Sequence, residues 1–458
     1  MTEITATFEK TFEALIEAKK YSAIKEILNT LRPADIAIIL QNVEKSKLPL
    51  LFRLLPKETA AETFVEMESD EQELLIRSFS DAELKEVVDE LYVDDAVDIV
   101  EEMPANVVKR ILKQADPDMR KMINEILKYP DDSAGSIMTT EYVELKPDLT
   151  AEDAIKRIRR TGIDKETIYT CYVTDANRKL IGALTLKDIL LAEDDTLIGD
   201  IMHEDIVSVT TLDDQEEAAK SLSKYDLNAI PVVDKEGRLV GIITVDDAID
   251  VIEEETTEDI EKMAAITPTD KPYLKLSPFD IWKSRIPWLM LLMVSATFTG
   301  MIISGFEDAL ATTVVLTAFI PMLMDTGGNS GSQASVTVIR SLSIGDIEWA
   351  DIGSVLWKEL RVSLMCAATL GVVVFGKLQL VDRLLLDNPA VTVSVSIVVA
   401  ITLMITIVAA KLVGCSLPML AKKLGFDPAV MASPFITTIV DALSLLIYFA
   451  IAKAVLHI

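Results

Sequence analysis

The stretch Ile436-Thr-Thr-Ile-Val-Asp-Ala-Leu-Ser-Leu-Leu-Ile-Tyr448 is apolar apart from its hydroxyls and one carboxylate, Asp441. It lies within Ala429–Ala452, a run long enough to cross a bilayer, for which a helix needs roughly 20 mostly apolar residues. A lone acid in such a run costs on the order of 3 kcal/mol on insertion scales, so it belongs beside an aqueous path rather than in lipid. Thr437 and Asp441 stand four apart on one helical face. Pro434 lacks an N–H and so predicts an unpaired carbonyl near residue 430. These hard oxygens suit a divalent cation, and one that sheds water reluctantly can be held by a single carboxylate through its hydration shell.

Four further apolar runs precede this one: Ile286–Phe306, Ala309–Met324, Val362–Gly376 and Ala390–Ala410. The second stops at Asp325 and continues through Pro321-Met-Leu-Met-Asp-Thr-Gly-Gly-Asn-Ser-Gly-Ser-Gln333. Glycine and proline there predict a backbone break lining a wet pore, with Asp325, Asn329, Ser330 and Gln333 adding side-chain oxygens; close helix packing through small residues is the alternative. Lys283 and Arg285 precede the first span, Arg340, Lys358 and Arg361 follow the second, and Lys411, Lys422 and Lys423 follow the fourth. By the positive-inside rule the N-terminus is cytoplasmic and, with five spans, the C-terminus lies outside.

The soluble part has the opposite character. The chain has 458 residues and a net charge of −29, yet half of it is hydrophobic. From Asp280 onward there are 11 Lys/Arg against 12 Asp/Glu, whereas the first 279 residues hold 33 against 61. The start, with Glu3, Glu9 and Glu13, has no basic region before an apolar core and so reads as no signal peptide. Three cysteines and two histidines leave no disulfide framework, zinc site or histidine-based chemistry. No nucleophile–base pair or phosphate loop appears, so the chain does not read as an enzyme, and nothing in it suits nucleic acid.

Residues 1–129 read as an acidic all-α superhelical domain of short helices, with units such as Leu31-Arg-Pro-Ala-Asp and Phe79-Ser-Asp-Ala-Glu-Leu starting at a proline or a cap. Residues 130–199 and 200–252 share the pattern Leu-x-Gly-x-(Leu/Ile)-Thr-x-x-Asp, ending at Asp188 and Asp247. They resemble a tandem pair of α/β CBS domains, in which such an acid often holds a nucleotide ribose; a helix cap is the competing role. Residues 253–279 form an acidic connection, continuing a charged helix (Asp246–Glu261) into Pro268, Pro272 and Pro278. Residues 280–458 are the α-helical transmembrane domain. Blocks of like charge repel, and divalent ions would neutralise the connecting helix against Asp94, Asp95 and Asp98 and against Asp214, Glu216 and Asp226.

In this order the parts resemble the MgtE magnesium transporter family. The membrane motifs Pro321–Gln333, Gly425-Phe-Asp-Pro-Ala and Pro434-Phe-Ile-Thr-Thr-Ile-Val-Asp441 carry the match across essentially the whole chain. The resemblance implies a homodimer in the cell membrane with a central pore. Asp441, helped by oxygens near Pro434, Thr437 and Asn329, would bind hydrated Mg²⁺. Regulatory Mg²⁺ would bind among Asp94, Asp98, Asp214, Glu216, Asp226, Asp247, Asp250, Glu255, Glu258 and Asp259, and high internal Mg²⁺ would close the pore. Some relatives bind ATP in the first CBS unit; here Thr170 and Lys187 stand where an aromatic ring and an arginine are expected, with Asp188 retained. Ser433 and Ser444 replace familiar glycines. The alternatives are a broader carrier of Mn²⁺ or Co²⁺, whose ligands are the same oxygens, and a CBS-domain sensor of Mg²⁺ or nucleotide without transport. No obligate protein partner is evident.

Overall fold

Prolines and capping residues cut the first part of the chain into short helices. The computed structural model describes residues 12, 14–269, 273–431 and 433–456; the acids Glu3, Glu9 and Glu13 and Pro272 lie outside the described residues. The chain divides into two units, Met1–Ile252 and Glu253–Ile458.

The first unit opens with α1 (Tyr21–Leu28), α2 (Pro33–Gln41), α3 (Leu48–Phe52), α4 (Lys57–Val65), α5 (Ser69–Ser78), α6 (Asp81–Val88), α7 (Val93–Glu102), α8 (Ala105–Gln114) and α9 (Pro117–Ile126). Their starts follow from local chemistry. Pro33 sits in the first turn of α2, Ser80 and Glu83 form a reciprocal capping box on α6, and Asp116 accepts N–H bonds from Asp118 and Met119 at α9. Each helix buries one stripe. In α7 it is Val93, Ala96, Val97 and Val100, the i, i+3, i+4, i+7 spacing of a helix with one apolar face.

The two CBS units follow. The first comprises β1 (Val143–Leu145), α10 (Ala151–Thr161), β2 (Thr170–Thr174), β3 (Leu180–Thr185), α11 (Leu186–Leu191) and α12 (Ile198–Ile201). The second has β4 (Val209–Thr210), α13 (Gln215–Lys224), β5 (Ala229–Val233) and β6 (Leu239–Thr244). Each sheet has a parallel pair and an antiparallel pair, with Val143 opposite Cys171 and Cys171 opposite Leu184 in one, and Val209 opposite Val232 and Ile230 opposite Ile243 in the other. The repeats lock together through two buried tyrosines: Tyr142 donates its hydroxyl to the Leu239 carbonyl and Tyr172 to that of Ala229, both at 3.2 Å. Neither phenol is left unsatisfied in the core. The connecting helix α14 (Val245–Met263) begins directly after β6, one residue before the charged helix Asp246–Glu261 read from the sequence, where the Thr244–Asp247 cap starts it.

The second unit holds α15 (Pro278–Gly305), α16 (Glu307–Thr312), α17 (Ile320–Ser343), α18 (Ile352–Lys377), α19 (Val393–Lys423) and α20 (Ser433–Leu456). The sequence predicts five spans. Among the described residues four helical stretches are long and apolar enough to cross a membrane: Pro278–Gly305, Trp349–Leu385, Val393–Lys423 and Pro428–Leu456. The expected second span, Ala309–Met324, is instead split between α16, a 3₁₀ segment over Val314–Phe319 and the start of α17.

Two other expectations need correction. The glycine-rich stretch Gly327–Gln333 is no break: it is continuous helix inside α17, with its backbone bonds made within the helix. Its glycines serve close packing. A Cβ on Gly331 would come within 2.8 Å of the Ile436 side chain and 3.1 Å of the Ala410 carbonyl, and one on Gly414 would collide with the Gly331 carbonyl. Small residues thus let α17 approach α19 and α20 backbone to backbone. Lys411 is not in a connecting loop but lies buried within α19, which runs on to Lys423. At about 1.5 Å per residue this helix is longer than the hydrocarbon core requires, so its last turns and their lysines extend past the apolar run.

Replacing Gly414 with alanine should therefore force two backbones apart. The expected cost is in the upper part of the roughly 1–3 kcal/mol typical of overpacking. Gly353, beside which a Cβ meets nothing within 4 Å, should accept alanine with unchanged or slightly raised stability. Thermal unfolding of the two detergent-purified variants, followed by size-exclusion chromatography, checks this; equal melting temperatures would contradict the packing role.

Candidate functional site

Two helical faces enclose a cavity of about 430 Å³ in the second unit. From α17 it is lined by Pro321, Met324, Asp325, Gly328 and Asn329, which recur at the spacing of one face, and from α20 by Thr437 and Asp441, one turn apart; Ile320 completes it. Gly328 is what brings the faces together, since a Cβ there would meet the Thr437 side chain at 3.0 Å. The cavity exceeds the volume of six waters, about 180 Å³ at about 30 Å³ each, so it accommodates a cation with its hydration shell.

The expected residues divide. Asp441, Thr437 and Asn329 are brought together in the cavity. Pro434 plays another part. It stands in the first turn of α20, where a missing N–H breaks no helix bond, and its carbonyl accepts the hydroxyls of Thr437 and Thr438, each at 3.0 Å. That oxygen is engaged rather than offered. Asp325, an oxygen donor in the sequence reading but not part of the assigned set, shares the cavity with Asp441.

A second acidic constellation forms in the first unit. Asp94 and Asp95 lie in the first turn of α7, Asp246 and Asp247 in the first turn of α14, and Glu141 and Glu166 come from loops of the first CBS unit. Glu141 accepts the Val93 N–H at 2.9 Å, which fixes the start of α7. Asp94 is 7% exposed; burial and then the nearby Asp247 hold its carboxyl well above the usual range. Burial and Asp247 push Asp95 up to about 7, and burial with Asp95 pushes Glu166 up to about 8. Burial, reinforced by Asp246, also raises Asp247. One oxygen of Glu166 is buried without a hydrogen bond. Among the described residues no ion pair relieves Asp94, Asp95, Glu166 or Asp247. Among the described residues no group of three acids, histidines or cysteines has ready-made metal geometry. A cation here would keep part of its water, as Mg²⁺ does at sites with few protein ligands.

The other expected acids are dispersed. Asp214 caps α13 by accepting the Glu216 N–H, Glu216 pairs with Lys220 at 2.8 Å, and Asp226 is exposed with φ +52°. Asp98 and Asp250 are exposed, while Glu255, Glu258 and Asp259 lie along α14. Asp188 and Asp247 are both helix caps: Thr185 donates to Asp188 through N–H and hydroxyl (2.8 and 2.6 Å), and Thr244 bonds Asp247 in the same way. His203 approaches Asp188 at 3.9 Å.

Sequence reasoning missed Glu141, Glu166 and Lys262. Lys262, at the end of α14, bridges Glu258 and Asp427, each at 2.8 Å, while Met263 packs on Ile339 and Ala429. Burial works against its charge, but the bonds to Asp427 and Glu258 prevail and hold the amine above its usual range. Asp427 stands in the quoted Gly425-Phe-Asp-Pro-Ala motif, the one signal that pointed to it.

Known proteins bear on the whole chain. The family model described as a divalent cation transporter (MgtE) matches residues 320–451, that of the MgtE intracellular N domain residues 31–132, and that of the CBS domain residues 134–195 and 198–254. The chain is 36% identical to the magnesium transporter MgtE of Thermus thermophilus over 95% of both chains, and 32% identical to that of Bacillus subtilis over 97% of this chain and 96% of the other. A solved cytosolic domain of the Mg²⁺ channel MgtE in complex with ATP is 34% identical, with a TM-score of 0.51; the match covers 53% of this chain and 99% of that one. The soluble part of a magnesium transporter is 30% identical with a TM-score of 0.50, over 54% and 97%.

The raised carboxyl groups fix a pH dependence. With folded values of about 7 for Asp95 and about 8 for Glu166, against ordinary values near 4 in the unfolded chain, the folded state binds more protons across that interval. The contribution is present below about pH 4 and is lost as pH rises through about 8. In chelator, the melting temperature of the first unit within the full chain should fall between pH 5 and 9, and Asp95→Asn with Glu166→Gln should flatten the slope. A slope unchanged by the pair would show that these groups do not titrate on folding.

Proposed function

The chain belongs to the MgtE family of magnesium transporters, and from that premise we propose that its second unit passes hydrated Mg²⁺ by Asp441 while its acidic first unit senses the ion inside the cell. It is a membrane transporter of Mg²⁺ under cytosolic control, and the relatives that match nearly all of its length are magnesium transporters. The observation that carries the pathway is Asp441 in the cavity between α17 and α20 with no basic side chain paired to it. A carboxylate so placed in an apolar helix is stabilised by a cation it can release.

Regulation rests on the carboxylates around Asp94 and Asp247. Among the described residues no ion pair relieves the repulsion among Asp94, Asp95, Glu166 and Asp247, although Lys165 lies near Glu141, and Mg²⁺ bound there supplies the missing charge. Such a ligand shifts a two-state element only through its differential affinity for the two states, and here the closely gathered acids bind it better than separated ones do. High internal Mg²⁺ thus holds the closed arrangement. The acids of α14 (Asp250, Glu255, Glu258, Asp259) and of the second CBS unit (Asp214, Glu216, Asp226) extend the same field. Asp98 joins it from α7.

The functional form is a homodimer in the cell membrane; counting the 24-residue α17 as a crossing beside the four more apolar stretches keeps five spans, with the N-terminus in the cytoplasm and the C-terminus outside. Supporting this, no residue of α15 is fully buried within its own chain, and although Ile302 and Ile303 pack on the core of the second unit, most of the helix is left for lipid or a second copy. ATP is a secondary ligand at most: one oxygen of Asp188 is taken by its own helix cap. Mg²⁺ is preferred over Mn²⁺ or Co²⁺ because a roomy, oxygen-lined cavity favours the ion that keeps its water.

Proteoliposome flux of the full chain tests the reading. Asp441→Ala should lower Mg²⁺ uptake by more than about tenfold, the effect of removing an interaction on which passage depends; undiminished uptake would remove Asp441 from the path. With wild-type protein, raising internal Mg²⁺ should suppress uptake, and Asp94→Asn with Asp247→Asn should leave it open at the same concentration. Suppression that persists in the double variant places the sensor elsewhere.

A further inference from the structure

Asp325 stands one turn before Asn329 on the cavity face of α17. It is exposed to that cavity, and no described residue gives it a hydrogen bond or an opposite charge. The same holds for Asp441 across the cavity, so two carboxylates share one space of about 430 Å³ without a protein counter-charge. An acid that served only to hold the helix would be engaged by a backbone N–H, as Asp214 and Asp188 are. Asp325 lies well inside α17, beyond its first turn, where the helix has no free N–H to offer. Its charge therefore has no structural use in the chain.

We propose that Asp325 is a second cargo-binding carboxylate, set opposite Asp441, which makes the cavity selective for doubly charged cations; this rests on the transport reading above. Asp325 and Asp441 are both negative and share the cavity, so a doubly charged cation offsets more of their repulsion than a single monovalent ion does. Carboxylate rings select cations in pores by this same means. The volume leaves room for the hydration shell, so both carboxylates act on the ion's waters, with Asn329 and Thr437 supplying neutral oxygens between them. Asp325 then sets the affinity for the ion and the exclusion of K⁺ and Na⁺, and Asp441 remains the indispensable group.

The test uses full-length protein in liposomes loaded with a Mg²⁺-sensitive dye, with MgCl₂ and KCl as the probes. Asp325→Asn should raise the half-saturating Mg²⁺ concentration by at least about tenfold with a smaller change in maximal flux, the pattern of a lost binding contact. It should also admit K⁺ current, while Asp325→Glu keeps both properties near wild type. Half-saturation and K⁺ exclusion unchanged in Asp325→Asn overturn the assignment. Asp325→Ser is measured beside it; if both fail to assemble while Asp325→Glu assembles, Asp325 is a structural residue and the assignment falls. A wild-type chain that carries no Mg²⁺ defeats the transport reading itself. If the wild type carries Mg²⁺ and Asp441→Asn abolishes it, that reading stands and the Asp325 variants decide this inference alone.

Discussion

A carboxylate held inside an apolar helix without a partner is the constraint on which the second unit depends. Among the described residues Asp441 has no lysine or arginine paired to it, and an unpaired carboxylate in an apolar helix belongs beside water. Everything near it serves that end. Gly328 brings α17 against Thr437, and Gly331 and Gly414 let α17 and α19 touch backbone to backbone. A rigid wall matters, because a carboxylate that could swing away from the path would lose its hold on a cargo bound only through water.

The same imbalance recurs in the first unit, with another outcome. Asp94, Asp95, Glu166 and Asp247 come from three separate segments, two helix starts and one loop of the first CBS unit. Each acid alone would be an ordinary solvated group. Folding gathers and partly buries them, and their proton affinities rise in consequence. Protons relieve that repulsion, and Mg²⁺ bound as proposed above would relieve the same repulsion, so a sensor of this kind is coupled to pH.

Much of this was legible in the sequence, and the failures are physical. The lone acid of Ile436–Tyr448 pointed to the pathway proposed above because intramembrane charge is expensive enough to need a reason. The paired Leu-x-Gly-x-(Leu/Ile)-Thr-x-x-Asp pattern identified the CBS units because strand, turn and cap recur in order. Gly327–Gln333 was misread as a break because glycine marks both broken helices and closely packed ones. The deciding partner, Gly414, lies in a different helix far along the chain. Glu166 was invisible because it occupies an irregular loop, and its burial is a tertiary fact with no local period. Lys411 was placed in a loop because a charge near the end of an apolar run ordinarily marks the end of the span, and α19 continues past it.

The acids of this chain are answered in two ways, and the difference separates fixed structure from switch. Glu258 and Asp427 are neutralised by Lys262, an amine of the same chain whose effective concentration never changes, and Met263 seats that contact on Ile339 and Ala429. Such a bridge persists whatever the ion concentration. Asp94, Asp95, Glu166 and Asp247 have no such amine. Neutralisation by a diffusible ion, as proposed above, would make the arrangement they stabilise follow that ion's concentration. A chain with a net charge of −29 could carry more lysines and lose the repulsion. Leaving these four acids without an amine keeps the repulsion available to such a ligand, whereas Lys262 gives the end of α14 a fixed contact within the second unit.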